Sequence, residues 1–237
     1  VSWNACGEYI VLTGGKKGID VYTTGMLPVK HYDISANYAL IKGGDLWYAS
    51  PESGLCHQSE RGEVNCYKPS NMPKTPIKEM SLQNGVLMIA PGGYWTTREN
   101  VACQIPCYID GQWTTHTVSS MNVELIMKGV YDVTSVAIDP TDANHFYFTT
   151  WGEGIFEVQF GKVVIFYNDK TTHGVLQSMV AGDPHYVRVD GARLDDKGNL
   201  WVLNAGSGVK VLQSNGKWSA LNYSPLKPME NMRRLLI

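Results

Sequence analysis

The chain has 237 residues, with 20 Lys and Arg against 22 Asp and Glu and a formal net charge of −2. That balance gives no electrostatic footprint for nucleic acid or an anionic membrane surface. Thirteen Tyr, seven Trp and 24 Gly in a chain only 18% charged suit short, half-buried strands joined by glycine turns.

The length allows one large domain or two small ones, and no apolar run reaches the ~18 residues of a membrane span. The chain starts at Val1 with neither an initiator Met nor a signal peptide, which reads as processing or a cut from something longer.

The first predicted unit, "EYIVLTGGKKGIDVY" (8–22), sets an apolar strand before a glycine loop, with Ile10 eight residues ahead of Gly18. "DLWYASPESGLCHQSERGEVNCY" (45–67) repeats the plan, with Leu46 eight residues ahead of Gly54. "NGVLMIAPGGYWTTRENVACQIPCYIDGQW" (84–113) keeps the strand but lengthens the loop. "DPTDANHFYFTTWGEGIFEV" (139–158) and "LDDKGNLWVLNAGSGVKVL" (194–212) restore the interval, from Phe146 to Gly154 and from Leu200 to Gly208. Each copy closes with a tight turn ("TGM", "ERG", "DGQ", "FGK", "NGK") and a further strand, with Tyr67, Trp113, Phe166 and Trp218 just beyond the later turns. Glycine at such turns accepts the positive φ that a hairpin needs.

A four-strand unit recurring at roughly 40–50 residues with aromatic marks is the signature of β-propeller blades. The expected fold is therefore all-β, a single propeller domain over 1–237. About five four-stranded blades fall near 1–34, 35–69, 77–118, 131–169 and 187–223. Residues 231–237 read as the first strand of a further blade, or as the strand that closes the first. The chain is thus a closed ring or a fragment of a larger propeller, with the fragment favoured.

The oxygen-rich "DPTDAN" (139–144) invites a calcium reading. It lacks the glycine and distal bidentate Glu of a hand-type loop, and it occupies the place of "DDKGN" in the next blade. It reads as an Asx turn between two strands.

The long segments, 68–79, 91–106, 117–132 and 169–187, all fall on one propeller face, whereas the opposite turns are minimal. Trp95, Arg98, Trp151 and His173 on that face are the candidates for binding a protein or glycan. The competing readings are that Trp151 packs against the neighbouring blade and that His173 and His185 are satisfied loop histidines. Trp47, Trp113, Trp201 and Trp218 read as blade packing. Truncating Trp95 or Arg98 is expected to weaken partner binding with little loss of stability.

No GxSxG, HExxH or phosphate-binding glycine loop occurs. The carboxylates and amides that a lactonase or lyase propeller would gather, Glu8, Glu153 and Asn204, are scattered. No catalytic residue, metal ligand or cofactor is assigned.

The five cysteines contain no CxxC pair. Cys56 and Cys66 lie five residues either side of Arg61 in "ERG", which faces them across a hairpin. Either they are bridged, placing the protein outside the cytoplasm, or they are two reduced thiols.

"GDLWYASPESGL" and "GNLWVLNAGSGV" resemble the two-component-regulator propeller repeat of Bacteroidetes hybrid sensor kinases. "VTSVAIDPTDANHFYFTTWGEGIFEV", "GARLDDKGNLWVLN" and "APGGYW…YIDGQW" are similar to the propellers of PorZ-type proteins, exported accessory proteins of the type IX secretion system. The resemblance covers most of 40–237 and implies a non-enzymatic, extracytoplasmic propeller, at the periplasm or cell surface, with adjoining domains in a larger parent protein. The alternative it implies is the periplasmic ligand-sensing part of a hybrid two-component kinase.

Overall fold

The structure is a computed structural model that describes residues 2–14, 16–68, 72–93, 98–127, 129–221, 223–226, 229 and 235. Two compact units make up the chain, Val1–Ser70 and Asn71–Ile237. Both are built from four-stranded antiparallel meanders, the strand plan of propeller blades.

The first unit holds two such sheets. One runs β1 (Ser2–Cys6), β2 (Tyr9–Thr13), β3 (Ile19–Thr23) and β4 (Pro28–Tyr32); the other runs β5 (Tyr38–Lys42), β6 (Asp45–Ser50), β7 (Gly54–Gln58) and β8 (Val64–Tyr67). Val11, Ile19, Val21, Ala39, Leu46 and Tyr48 form its core. In the second unit, β9 (Glu79–Gln83), β10 (Val86–Ala90), β11 (Gln104–Ile109) and β12 (Gln112–Thr117) form one sheet. Next come β13 (Val133–Ile138), β14 (His145–Gly152), β15 (Ile155–Gln159) and β16 (Lys162–Tyr167). The last four are β17 (Val187–Leu194), β18 (Leu200–Asn204), β19 (Gly208–Leu212) and β20 (Trp218–Ala220). Among the described residues, three short 3-10 turns interrupt the strands, at Val123–Leu125, Pro184–Tyr186 and Ser224–Leu226.

Strand alternation decides which residues make the core, because successive side chains point to opposite faces. Phe146 and Phe148 of β14 pack with Val136 and Phe156 against Val86, Met88 and Ile105 of the preceding sheet. Tyr147, between them, packs on the other side with Leu200, Val202 and Leu212. Phe148 stacks on Phe156 at 4.7 Å, and Phe156 meets Phe166 at 4.8 Å. Each fully buried ring contributes roughly 1.5–3 kcal/mol.

The glycine that recurs at the eight-residue interval in four of the five copies opens the third strand. Gly18, Gly54, Gly154 and Gly208 have φ of +94°, +80°, +93° and +82°. A Cβ on Gly18, Gly54 or Gly154 would lie 2.6, 2.7 or 2.2 Å from the carbonyl oxygen of Tyr32, Tyr67 or Tyr167, each the last residue of its sheet's fourth strand. Both the dihedral and the close approach therefore exclude a side chain.

"DPTDAN" joins β13 to β14. Asp139 accepts from the Thr141 backbone N–H and hydroxyl, both at 2.7 Å, and Asp142 accepts from the Asn144 N–H at 2.9 Å. The second Asp139 oxygen meets His145 Nδ1 at 2.8 Å. "DDKGN" is built likewise: Asp195 accepts from the Lys197 and Asn199 backbone and from the Trp201 indole.

β14 outruns its own sheet. Its last two residues pair with β17, Trp151 opposite Arg188 and Gly152 opposite Val187, so the last two meanders form one eight-stranded sheet. The seam is polar: Thr134 donates to Val189 O at 2.6 Å, and Ser135 Oγ accepts from Ala192 N–H at 2.9 Å.

Cys56 and Cys66 stand directly opposite in β7 and β8 and are joined by a disulfide. The short ring it closes is worth about 2–3 kcal/mol. Cys103 and Cys107 are buried free thiols and Cys6 is half-buried. Burial pushes Cys103 up to about 12 and raises Cys107 also.

Two measurements check this account. Gly161, in the same sheet, has φ +71° but open space around its Cβ position. Gly161→Ala should cost about 1–2 kcal/mol, a fall of about 2–8 °C in Tm, whereas Gly154→Ala should fall by more than ~8 °C; equal losses would refute the carbonyl contact. In thiol labelling without reductant, the folded protein should expose Cys6 alone and the unfolded chain its three free cysteines. All five should label only after reduction.

Candidate functional site

Two long segments of the second unit meet at the end of β14. The 91–106 segment is clamped at its base. Buried Asp132 accepts the backbone N–H groups of Asn100 (3.1 Å) and Val101 (2.8 Å), and Gly92 N–H donates to Val133 O at 2.7 Å. The 169–187 segment is clamped by Asn204, which is fully buried. Its Oδ1 accepts from Gln177 N–H at 2.7 Å, and its Nδ2 donates to Gln177 O and Arg188 O. Asp183 caps the turn Pro184–Tyr186 by accepting from His185 N–H at 2.9 Å.

Arg98 joins the two. Its Nη1 lies 3.0 Å from Glu153 Oε1, and its Nη2 donates to the His185 carbonyl oxygen. The other Glu153 oxygen faces His185 Nδ1 at 3.0 Å. Glu153 has a side chain only 6% exposed, Arg98 24% and His185 66%. A carboxylate so buried requires both partners to offset its lost hydration. Gly152 makes room, since a Cβ there would fall on the Arg98 guanidinium.

Beyond the ion pair runs an alternating series. Arg98 lies over Tyr186 at 5.7 Å, Tyr186 lies under Arg188 at 5.6 Å, and Arg188 covers Trp151 at 5.3 Å. Cations on ring faces hold long side chains in fixed rotamers. What the cluster presents outward is the His185 imidazole with the half-buried edges of Arg98 and Tyr186.

Of the four residues expected to bind, only Arg98 belongs to this exposed cluster. Trp95 lies outside the described residues. Trp151 is corrected: it is 2% exposed, under Arg188, and has no surface to offer a partner. His173 is exposed at a left-handed turn (φ +52°) and makes no hydrogen bond or ion pair with the cluster. Because Arg98 faces buried Glu153, its truncation is expected to cost stability as well as surface. His185, read as a satisfied loop histidine, does have a partner in Glu153; the sequence places neither it nor Glu153 in a site, because Arg98 pairs with a residue 55 positions away and no local spacing announces such a contact.

At the other end of β14, His145 lies between Asp139 (2.8 Å) and Glu157 (3.0 Å), and Tyr167 donates to Glu157 at 2.6 Å. Burial, then the Glu157 carboxylate, raise Tyr147 and Tyr167 above the usual phenol range. Among the described residues, no group of three or more His, Cys, Asp or Glu side chains is placed to hold a metal ion. No helix among them is long and apolar enough to cross a membrane.

No family model and no curated protein matches the sequence. Solved structures do. PorZ, an essential surface component of the type-IX secretion system of Porphyromonas gingivalis, aligns over 94% of this chain with TM-score 0.56 and 19% identity. The extracellular domain of BT4673 from B. thetaiotaomicron, described as a hybrid two-component system, aligns over 92% with TM-score 0.55 and 14% identity. YCF48 from Cyanidioschyzon merolae aligns over 91% with TM-score 0.51 and 11% identity. The fold is that of a β-propeller. This chain spans 35% of the PorZ structure, 27% of the BT4673 domain and 67% of YCF48.

The ion pair is tested by a cycle. Arg98→Ala should destabilise the protein by about 2–3 kcal/mol, below the full cost of stranding a wholly buried charge. Adding Glu153→Gln should restore more than half of that loss. No recovery would mean that the pair is not what Arg98 contributes.

Proposed function

We propose that the chain is a non-enzymatic propeller segment acting outside the cytoplasm and binding a protein partner on its long-loop face. The observation that carries this reading is the meeting of the 91–106 and 169–187 segments through Arg98, Glu153 and His185. Loops held rigidly on sheets are where recognition usually resides, and Arg and Tyr are common interface anchors. The Cys56–Cys66 bridge fits an oxidising compartment.

The likeness to PorZ supports the role of an envelope or secretion accessory protein. The likeness to BT4673 supports a sensor that passes ligand binding to a signalling domain. The parent reading frame separates them: a membrane helix followed by a kinase means sensor, and a free β-domain means envelope protein.

The binding reading is tested by capture from the envelope fraction of the source cells. A protein retained by wild type should be lost with His185→Ala, provided the variant keeps its fold by circular dichroism since it also removes a Glu153 partner, and kept with the exposed control His31→Ala. Equal retention by both variants would remove the loop face from the interaction.

A further inference from the structure

The two sheets of the first unit pack face to face, and the space between them is filled unevenly. Counting from the third-strand glycine, Val11 stands where Tyr147 stands in β14, and Val21 stands where Glu157 stands in β15. In the later sheet Glu157 is buried and meets His145 and the Tyr167 hydroxyl, so that level is filled by a polar network. Two valines cannot fill the same space. They leave a cleft of about 200 Å³ between the first and second sheets. Both walls are complete four-stranded sheets of one compact unit.

Val21 and Ile41 make the floor of the cleft, Tyr9 and Tyr32 its walls, and Lys30 and Glu60 its rim. Lys30 Nζ lies over the Tyr32 ring at 4.5 Å, which holds the ammonium at the opening. Glu60 is fixed by its backbone N–H, which donates to Asp45 at 3.1 Å. Gly44, with φ +87°, makes way for the Glu60 carboxylate, because a Cβ there would fall on it. The two charges are not paired with each other. Among the described residues, neither charge nor either phenol has a hydrogen-bond partner.

An ammonium and a carboxylate, separate and unpaired beside an apolar floor, are complementary to a zwitterion with an apolar side chain. A ligand with one charge would satisfy one pole and leave the other without a partner. The volume falls below the roughly 300–1,000 Å³ of sites for larger ligands, and suits a molecule as small as one amino acid. We propose that this cleft binds a free apolar α-amino acid. Its ammonium meets Glu60, its carboxylate meets Lys30, and its side chain covers Val21 and Ile41 between the tyrosine rings. The site lies in the first unit and does not rest on the loop-face reading.

The test is calorimetric titration of the intact chain with L-phenylalanine and L-leucine. Hydrocinnamate and isocaproate are the same molecules without the ammonium, and phenethylamine and isoamylamine are the same molecules without the carboxylate. At least one amino acid should bind saturably, and about tenfold or more tightly than either of its own analogues, the worth of one charge-assisted contact. Glu60→Gln should weaken the amino acid by about tenfold and leave its ammonium-free analogue as it was. Lys30→Gln should do the same and spare the carboxylate-free analogue. Both side chains are exposed, so folding is not at stake.

The proposal is overturned if neither amino acid binds saturably, or if an analogue binds as tightly as its parent. Binding that survives both substitutions would place the amino acid elsewhere on the chain and overturn it equally.

Discussion

The whole architecture rests on one close contact made repeatedly: a glycine backbone against the carbonyl at the end of the outermost strand. At Gly18, Gly54 and Gly154 the chain turns into its third strand with positive φ, at a distance from Tyr32, Tyr67 and Tyr167 that leaves no room for a Cβ. With that approach allowed, strands two, three and four stay in register. The alternation of Phe146, Tyr147 and Phe148 then delivers side chains to both faces of the sheet. The third meander does without the glycine. Its second strand runs instead into the long 91–106 segment, which is why a candidate site can exist there.

A second constraint is repeated at the turn end. Asp45, Asp139 and Asp195 each meet a ring nitrogen, of His57, His145 and Trp201, at 2.7, 2.8 and 2.9 Å. At Asp195 partial burial opposes ionisation. The hydrogen bonds from Trp201, Asn199 and the backbone outweigh it and hold the carboxyl down to about 2. Such a carboxylate keeps the turn closed and orients the ring beside it.

The loop face is governed by buried charge. Glu153 is tolerable only because Arg98 and His185 reach it from two separate segments, and Asp132 and Asn204 hold those segments in place. This arrangement is a compromise. Arg98 anchors the loops and at the same time keeps a half-buried edge at the surface.

What the sequence determined alone is the local part. The eight-residue spacing to glycine, the Asx turns and the period-two alternation are set by contacts within a few residues or across a hairpin, so they announced the four-stranded plan. The same reasoning placed Cys56 opposite Cys66, because both count outward from one turn. Tertiary structure alone decided which polar residues meet. Arg98 finds Glu153 across 55 residues, Asn204 reaches back 27 to Gln177, and Trp151 is lost to the core because β14 overshoots its own sheet onto β17. Side-chain type carries no record of such distant partners. The desolvation that makes them necessary exists only once the sheets have packed.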